Sequence, residues 1–380
     1  VPPSKIAILA DVPLGTLAGL ELYPRPTAHY ATWLEALIPE FEHVEGLDLH
    51  WITFSKEANA PATHRVLGQT FHVLPRYKKL LSMVTAYRLE TRRVRRLLRE
   101  LKPELLHAWG SEDAYGLAGA RSGVHRKLFT LQGCLKECVR QDPAPKALMK
   151  LQASFEVRTV CSYPVGTGES TVSTAHLARL HPGMQTQVID YGVARDFFDA
   201  KWIPSESPNV LFAGSVCAPK GVLDLAEVFQ RPEFKEITLN IAGDGASMAQ
   251  LRALDLPNVR FLGRLSRPEL IAAMESAWLL AIPTHADTGP SILKEARVVG
   301  LPVVTTTAAG AAHYITQSGA GEVVEPACVD ALFSAIRNLT RSRDQCLETG
   351  QRSWNEHRTI FQPSTTAKSF AKLYREMLER

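Results

Sequence analysis

The feature that most constrains this chain is a rhythm in its C-terminal half, where short apolar runs alternate with amphipathic segments at the spacing of repeated strand–helix units. The runs at 209–213, 237–242, 259–262, 278–282, 302–306 and 322–324 predict strands. The segments at 222–230, 247–254, 268–276 and 290–299 predict the helices between them, several opened by Pro and closed near Gly. Strands joined through helices run parallel, so the expected class is α/β, with helices on both faces of the sheet. Such sheets take ligands outside the carboxyl ends of their strands, which puts the weight on the loops that follow them.

The N-terminal half repeats the pattern less cleanly, with strands predicted at 5–10, 49–54, 70–74, 105–108 and 127–131. A chain of 380 residues, 45% apolar and 22% charged, has room for two cores and is not the composition of a disordered protein. The stretch 196–208, with Trp202, Pro204, Ser205, Ser207 and Pro208, lacks a period and reads as a linker, giving expected domains of 1–200 and 201–361. Beyond Pro363, the spacing of Phe370, Leu373, Tyr374 and Met377 predicts a terminal amphipathic helix within 362–380.

No apolar stretch approaches the roughly 18 residues of a spanning helix, and the run from Ile6 to Ala10 is short of a signal peptide's core. The six cysteines (Cys134, Cys138, Cys161, Cys217, Cys328 and Cys346) show no paired metal-ligand spacing and read as reduced. A cytoplasmic location is the expectation.

Two segments carry chemistry. The strand at 209–213 runs into Gly214-Ser215-Val216-Cys217-Ala218-Pro219-Lys220-Gly221 and then a helix. Glycine admits a ligand close to the backbone, a helix start offers free N–H groups to an anion, and Lys220 adds a point charge. Diphosphate fits; a tight turn with a surface lysine is the bland alternative. The second segment, Pro283-Thr284-His285-Ala286-Asp287-Thr288-Gly289-Pro290, leads into a helix carrying Glu295, with Gly289 as the expected cap and Pro290 at the first helical position. Helical side chains lean toward the N-terminus, so Glu295 can reach back toward the ligand face while Ile292, Leu293, Ala296 and Val299 pack inward. A carboxylate accepts bonds from two adjacent hydroxyls, which suits ribose or hexose; the alternative is a solvated glutamate.

Phe212-Ala213-Gly214, Pro219-Lys220-Gly221, Ile241-Ala242-Gly243-Asp244-Gly245, Val259-Arg260-Phe261-Leu262-Gly263, Asp287 to Glu295, and Gly300-Leu301-Pro302-Val303-Val304 together resemble the large retaining glycosyltransferase family with the GT-B fold. The family includes sucrose synthase and bacterial mannosyl- and glucosyltransferases. The resemblance implies two Rossmann-like domains facing a cleft, a last helix crossing back to the N-terminal domain, and an acceptor held by that domain. It implies that Lys220 holds the diphosphate, Glu295 the ribose hydroxyls and Asp287 the donor sugar. Gly243, Gly263 and Arg264 would border the nucleotide, and the amides of Gly289, Pro290's neighbour Ser291, and Ile292 would face phosphate and sugar. Three positions depart from the family pattern: Ser215 where Arg is usual, Asp287 where Glu is usual, and Gln132 where many relatives have His.

In the N-terminal half the likeness rests on Leu105-Leu106-His107-Ala108-Trp109-Gly110, on Thr130-Leu131-Gln132-Gly133, and on Tyr191-Gly192-Val193. His107, Trp109 and Gln132 are candidates for acceptor or sugar contact, although His107 reads equally well as a core histidine. Gly15, in the loop to Gly19, would approach the donor phosphates or serve as a connector.

No Asp-x-Asp motif occurs, so no metal or cofactor is expected beyond the sugar nucleotide itself, whose base, UDP or GDP, is open. Residues 65 to 102 hold eleven Lys or Arg against Glu90 and Glu100, a local balance of +9. On the predicted helix Tyr87, Val94, Leu97, Leu98 and Leu101 form a buried stripe, leaving Arg88, Arg92, Arg95, Arg99 and Lys102 on the other face. A solvated face is one reading; an anionic membrane surface or a lipid-linked or polyanionic acceptor, met through 76–102, is the other, with a peripheral station at the inner face of the membrane. Nucleic acid is not expected, since no recognition motif accompanies the charge. Two rivals to sugar transfer stand: a sugar-nucleotide-binding scaffold that has lost catalysis, and a sugar-nucleotide epimerase.

Overall fold

The computed structural model describes residues 2–24, 32–141 and 146–380. The chain divides into two compact units, Val1–Gly192 with Pro363–Arg380, and Val193–Gln362.

The second unit holds β9 (Asn209–Ala213), β10 (Thr238–Ala242), β11 (Val259–Gly263), β12 (Leu279–Ile282), β13 (Val303–Thr306) and β14 (Gly321–Val324). They form one sheet in the order β11-β10-β9-β12-β13-β14, with every neighbouring pair parallel. Counted from its own first strand this is 3-2-1-4-5-6, the order of dinucleotide-binding sheets. The middle strands are apolar on both faces because helices cover both: Val210, Phe212, Leu280 and Val304 are wholly buried.

The unit begins earlier than the expected boundary at 200, because Val193 and Phe197 are buried in its core and Val193 N–H donates to Phe361 O at 2.9 Å. The aperiodic stretch that follows is also part of it. Trp202 Nε1 donates to Ala277 O at 2.7 Å and Trp278 Nε1 to Ser205 O at 2.8 Å. Two indoles pin this segment without any burial period, which is why sequence reads it as a linker.

The first unit carries β1 (Ser4–Leu9), β2 (Leu47–Ser55), β3 (Ala62–Val66), β4 (Gln69–Pro75), β5 (Leu105–Trp109), β6 (Lys127–Leu131), β7 (Val165–Gly168) and β8 (Gln185–Val188). Their order is β3-β4-β2-β1-β5-β6-β7-β8, parallel except for the β3–β4 hairpin. Without β3, it too winds outward from its first strand. β3, β7 and β8 are absent from the sequence expectation: Val-Gly-Thr-Gly and Gln-Thr-Gln-Val show no apolar run, and only their neighbours make them strands.

One face of this sheet packs on the last helix, Pro363–Glu379, whose Phe370, Leu373, Tyr374 and Met377 join Trp51 and Trp109 in a core. The opposite face packs on the helix Arg88–Leu101 through Val94 and Leu98. No helix among the described residues is long and apolar enough to cross a membrane.

Candidate functional site

In the second unit the chain leaves β9 toward one edge of the sheet and, after returning to β12, leaves toward the other, so the carboxyl ends of β9 and β12 open the topological switch point. Two loops meet there and are fastened together. The carbonyl of Pro219 accepts from His285 N–H at 2.8 Å and from Thr284 Oγ1 at 3.0 Å. Gly221, with φ +70°, lies so close to the Pro283 carbonyl that a Cβ would overlap it. Only glycine satisfies both the left-handed turn and this contact. His285 Nε2 meets Asp224 Oδ2 at 2.7 Å, joining the second loop to the helix Val222–Phe229 that the first loop opens.

This clasp brings the two candidate charges together: Lys220 Nζ pairs with Asp287 Oδ2, while Asp287 Oδ1 accepts from Gly289 N–H at 3.3 Å. Backbone bonds from Asp287 N–H to Ala308 O at 3.2 Å and from Gly310 N–H to Asp287 O at 2.8 Å tie the loop to the end of β13. The helix behind it spans Ser291–Val299 with Pro290 as its N-cap, one residue later than expected from Gly289, because Pro290 sits in an extended conformation with ψ 106°. No side chain caps this end, so its first amides and the positive end of its dipole face whatever stands in front.

Glu295 lies one turn in. Burial pushes its carboxyl up to about 7, against the pull of the Arg267 charge and of a hydrogen bond from Ser291. Arg267, in the first turn of the helix Arg267–Ser276, also reaches Asp196 Oδ2 at 3.3 Å. Neither Arg267 nor His285 carries a sequence signal for this site; the capping pattern Ser266-Arg267-Pro268-Glu269 marks a helix start but not the direction in which its arginine points. Arg297 on the same helix is structural: it is buried and donates to the carbonyls of Leu301, Gly350 and Arg352 and to His357 Nδ1.

The expected glycines line the same end of the sheet. A Cβ at Gly214 or Gly263 would meet open space, whereas one at Gly243 would overlap the Gly214 carbonyl, so Gly243 answers to packing. Ser215 is exposed, and Arg264, mostly exposed, has Nε 4.0 Å from Asp244 Oδ2. Ser291 is exposed and Ile292 packs partly on the core.

The first unit's candidates fall differently. His107 is fully buried, with Nδ1 2.7 Å from Tyr374 Oη and Nε2 2.6 Å from Thr130 Oγ1, and burial holds its pKa well below the ordinary histidine value. It is a core histidine and touches no surface. Trp109 is buried as well, its ring stacked at 4.3 Å on Trp33. Gly15 is buried in the short turn Leu14–Thr16, where a Cβ would collide with the carbonyls of Tyr23 and Pro24; packing rather than a phosphate accounts for the glycine.

Gln132 is partly exposed, and its amide oxygen and Glu112 Oε2 each lie where a Cβ on Gly110, whose φ is +77°, would fall. Glu112 accepts from Gly133 N–H at 2.6 Å, burial pushes its carboxyl up to about 7, and its Oε2 has no partner. Sequence reasoning missed this carboxyl, for which no motif speaks.

Residues 207–342 match the family described as glycosyl transferases group 1. This region is a group 1 glycosyltransferase domain. It contains Lys220, Asp287 and Glu295. Among curated relatives, the D-rhamnosyltransferase WbpZ of Pseudomonas aeruginosa is 28% identical over 190 residues, covering 47% of this chain and 50% of the relative. The lipopolysaccharide glucosyltransferase WaaG of Escherichia coli is 40% identical over 88 residues, 22% of this chain and 23% of the relative. The chain spans about half the length of the curated relatives it matches first.

Solved structures cover nearly all of it. Sucrose-phosphate synthase from Thermosynechococcus elongatus superposes with a TM-score of 0.77 at 17% identity, covering 99% of each chain. WaaG superposes at 0.69 with 19% identity, covering 97% and 99%. The fold is GT-B.

Proposed function

We propose that the chain is a retaining hexosyltransferase that moves a sugar from a nucleoside diphosphate to a hydroxyl of a glycan, lipid-linked or small-molecule acceptor without a metal ion. The observation that carries this reading is the convergence of Lys220, Asp287 and Glu295 on one uncapped helix start at the switch point of a sheet with the 3-2-1-4-5-6 strand order. Lys220 and the first amides of the helix Ser291–Val299 receive the diphosphate, Glu295 accepts from the ribose hydroxyls, and Asp287 accepts from the donor sugar. The Lys220–Asp287 pair means that an arriving phosphate exchanges for the Asp287 carboxylate, which is then free to turn to the sugar.

In the transfer, the acceptor oxygen bonds to the anomeric carbon on the face the diphosphate leaves. The old bond to the phosphate oxygen breaks, and the hydroxyl proton passes to that oxygen. Lys220 and the helix dipole stabilise the charge that develops there. No protein base is needed, so Gln132, which exchanges no protons, is compatible with turnover. Relatives named as rhamnosyl- and glucosyltransferases support a sugar as the group moved, and a neighbour of the same fold, Anabaena HepE in complex with UDP and glucose, supports a nucleotide donor.

Incubation with UDP-, GDP- and ADP-sugars tests the reading, first by thermal shift and then by release of nucleoside diphosphate. One donor should raise the melting temperature and be consumed with its anomeric configuration kept in the product. If none binds, the reading fails. Binding without consumption, with or without acceptor, makes the chain a scaffold, and a changed sugar with no acceptor makes it an epimerase.

A further inference from the structure

We infer that the first unit carries a docking site for an anionic lipid surface, built from a pocket of converging arginines and an apolar tip joined to it by one turn. The inference is independent of the sugar-transfer reading.

The structure sorts the basic stretch into used and unused charges. Arg76 pairs with Asp113, Arg96 lies 3.7 Å from Glu100, and Arg93 lies 4.0 Å over the Tyr77 ring. Arg88, Arg92 and Arg95 make no ion pair among the described residues. They line one pocket of about 270 Å³ together with Thr91 and Arg121. Arg121, at the end of the helix Ala114–Ala120, lies outside the basic stretch and comes to it only through the fold. Its pKa is lowered by burial first, then by the like charges of Arg88 and Arg158. A cluster of cations without a carboxylate stores repulsion that a bound anion relieves, and guanidinium groups match phosphate oxygens in pairs.

The preceding helix, Lys79–Val84, exposes Leu80 by 66%, Leu81 by 46% and Val84 by 73%. Positions separated by three and four residues share one helix face, so these three make a continuous aliphatic tip beside the exposed Lys78 and Lys79. The turn from tip to pocket is fixed: Ala86 and Tyr87 adopt φ 48° and 56°, the Tyr87 side chain is buried, and Arg121 donates to the Ala86 carbonyl. A soluble phosphate would satisfy the arginines and leave the tip in water. An anionic bilayer supplies phosphate headgroups and, directly beneath them, hydrocarbon for Leu80, Leu81 and Val84.

Co-sedimentation with vesicles of phosphatidylcholine alone or mixed with phosphatidylglycerol tests this. The intact chain should sediment only with the anionic vesicles, and less as salt rises. The double variant Arg92→Gln, Arg95→Gln should lose about thirtyfold in partition, five- to sixfold for each arginine. Leu80→Ser with Val84→Ser should lose about tenfold or more while all charges remain. These side chains are exposed, so both variants should melt with the parent protein and bind nucleotide as it does. Absence of binding to anionic vesicles at low salt overturns the proposal, as does binding unchanged in both variants. It is equally overturned if inorganic pyrophosphate displaces the vesicles and the Leu80, Val84 variant binds them normally, because a free phosphate is then the occupant.

Discussion

The two units wind their sheets outward from a first strand in the same way, yet they spend the polar groups at the strand ends in opposite ways. In the first unit these groups are consumed by the fold. His107 is held between Tyr374 and Thr130, Thr130 bonds on to Thr167, and the buried Glu156 accepts from the Leu135 and Lys136 amides at 2.9 Å each. In the second unit, Lys220, Asp287 and Glu295 stay partly exposed, and the bonds that fix their loops come mostly from backbone, from Thr284 and from the His285–Asp224 contact. Topology therefore marks where a ligand can sit, and side chains left unspent by the fold decide whether one does. Glu112, with an unpartnered Oε2, is a carboxyl of the first unit that the fold leaves half spent.

The largest effect should come from breaking the first unit's side of this comparison. His107→Ala opens a cavity and orphans the Tyr374 and Thr130 hydroxyls, which should cost about 3 kcal/mol or more of stability in urea unfolding. The buried ring is held neutral, so the parent protein should lose this contribution as pH falls below the ordinary histidine value near 6.5, and the variant should show a shallower acid limb. Nucleotide affinity of the folded variant should be unchanged. A variant of full stability that binds acceptor or nucleotide poorly would return His107 to the site.

Lys220→Ala attacks the second unit's side. It removes a charged hydrogen bond worth about 1.5–3 kcal/mol and leaves Asp287 without its cation, so nucleoside diphosphate affinity should fall ten- to more than a hundredfold by calorimetry. Stability should change little, since the loop keeps its backbone bonds to Pro219, Ala308 and Gly310. Unchanged affinity would mean that the diphosphate is held elsewhere.

Glu295 offers a pH test. Its carboxyl sits near 7, and the ionised form is the better acceptor for two hydroxyls, so affinity for ribonucleotides should rise about fivefold from pH 6 to pH 8. Glu295→Gln should flatten that rise and cost ribonucleotides more than their 2′-deoxy analogues. Its stability effect has the opposite sign. The folded-state pKa is raised above the ordinary 4.5, so ionisation destabilises the parent protein as pH climbs from 4.5 to about 7. The Gln variant should therefore gain stability over that range and keep the gain above it. Equal losses for both nucleotide classes would place the ribose contact elsewhere.

How much of this was legible depended on what carries each feature. The second sheet was readable because strands buried on both faces are written as apolar runs, and the Lys220 and Asp287 loops because glycine and proline punctuate them. β7 and β8 were not, since Gly and Gln become strand residues there only by pairing with β6. The early start of the second unit depended on single anchors, Val193, Phe197 and Trp202, which leave no period. His107 was ambiguous because a strand position alternates between faces but does not say which face is capped; the capping helix carrying Tyr374 comes 267 residues later. The pairing of Lys220 with Asp287 spans 67 residues and had no sequence signal beyond opposite charge.

That pairing sharpens the comparison at its finest point, where the expected change in binding is smallest. Asp287→Asn keeps an oxygen for the Gly289 amide, and the bonds of its backbone to Ala308 and Gly310 are untouched, so the loop should hold its shape. The lost negative charge no longer competes with an arriving phosphate for Lys220, while the neutral amide still offers Lys220 a weaker partner. These effects leave affinity for a free nucleoside diphosphate within about twofold of the parent, with any change toward tighter binding. The donor sugar, by contrast, loses the charged acceptor that Asp287 would turn toward it, so the intact sugar nucleotide should weaken and transfer should fall. The informative quantity is the ratio of the two affinities, measured on one preparation: it should shift against the sugar nucleotide in Asp287→Asn and stay constant in Lys220→Ala, where both ligands lose the same phosphate contact. A ratio that stays constant in both variants would make Asp287 a partner of Lys220 alone, and the second unit would then spend its carboxylate on the fold as the first unit does.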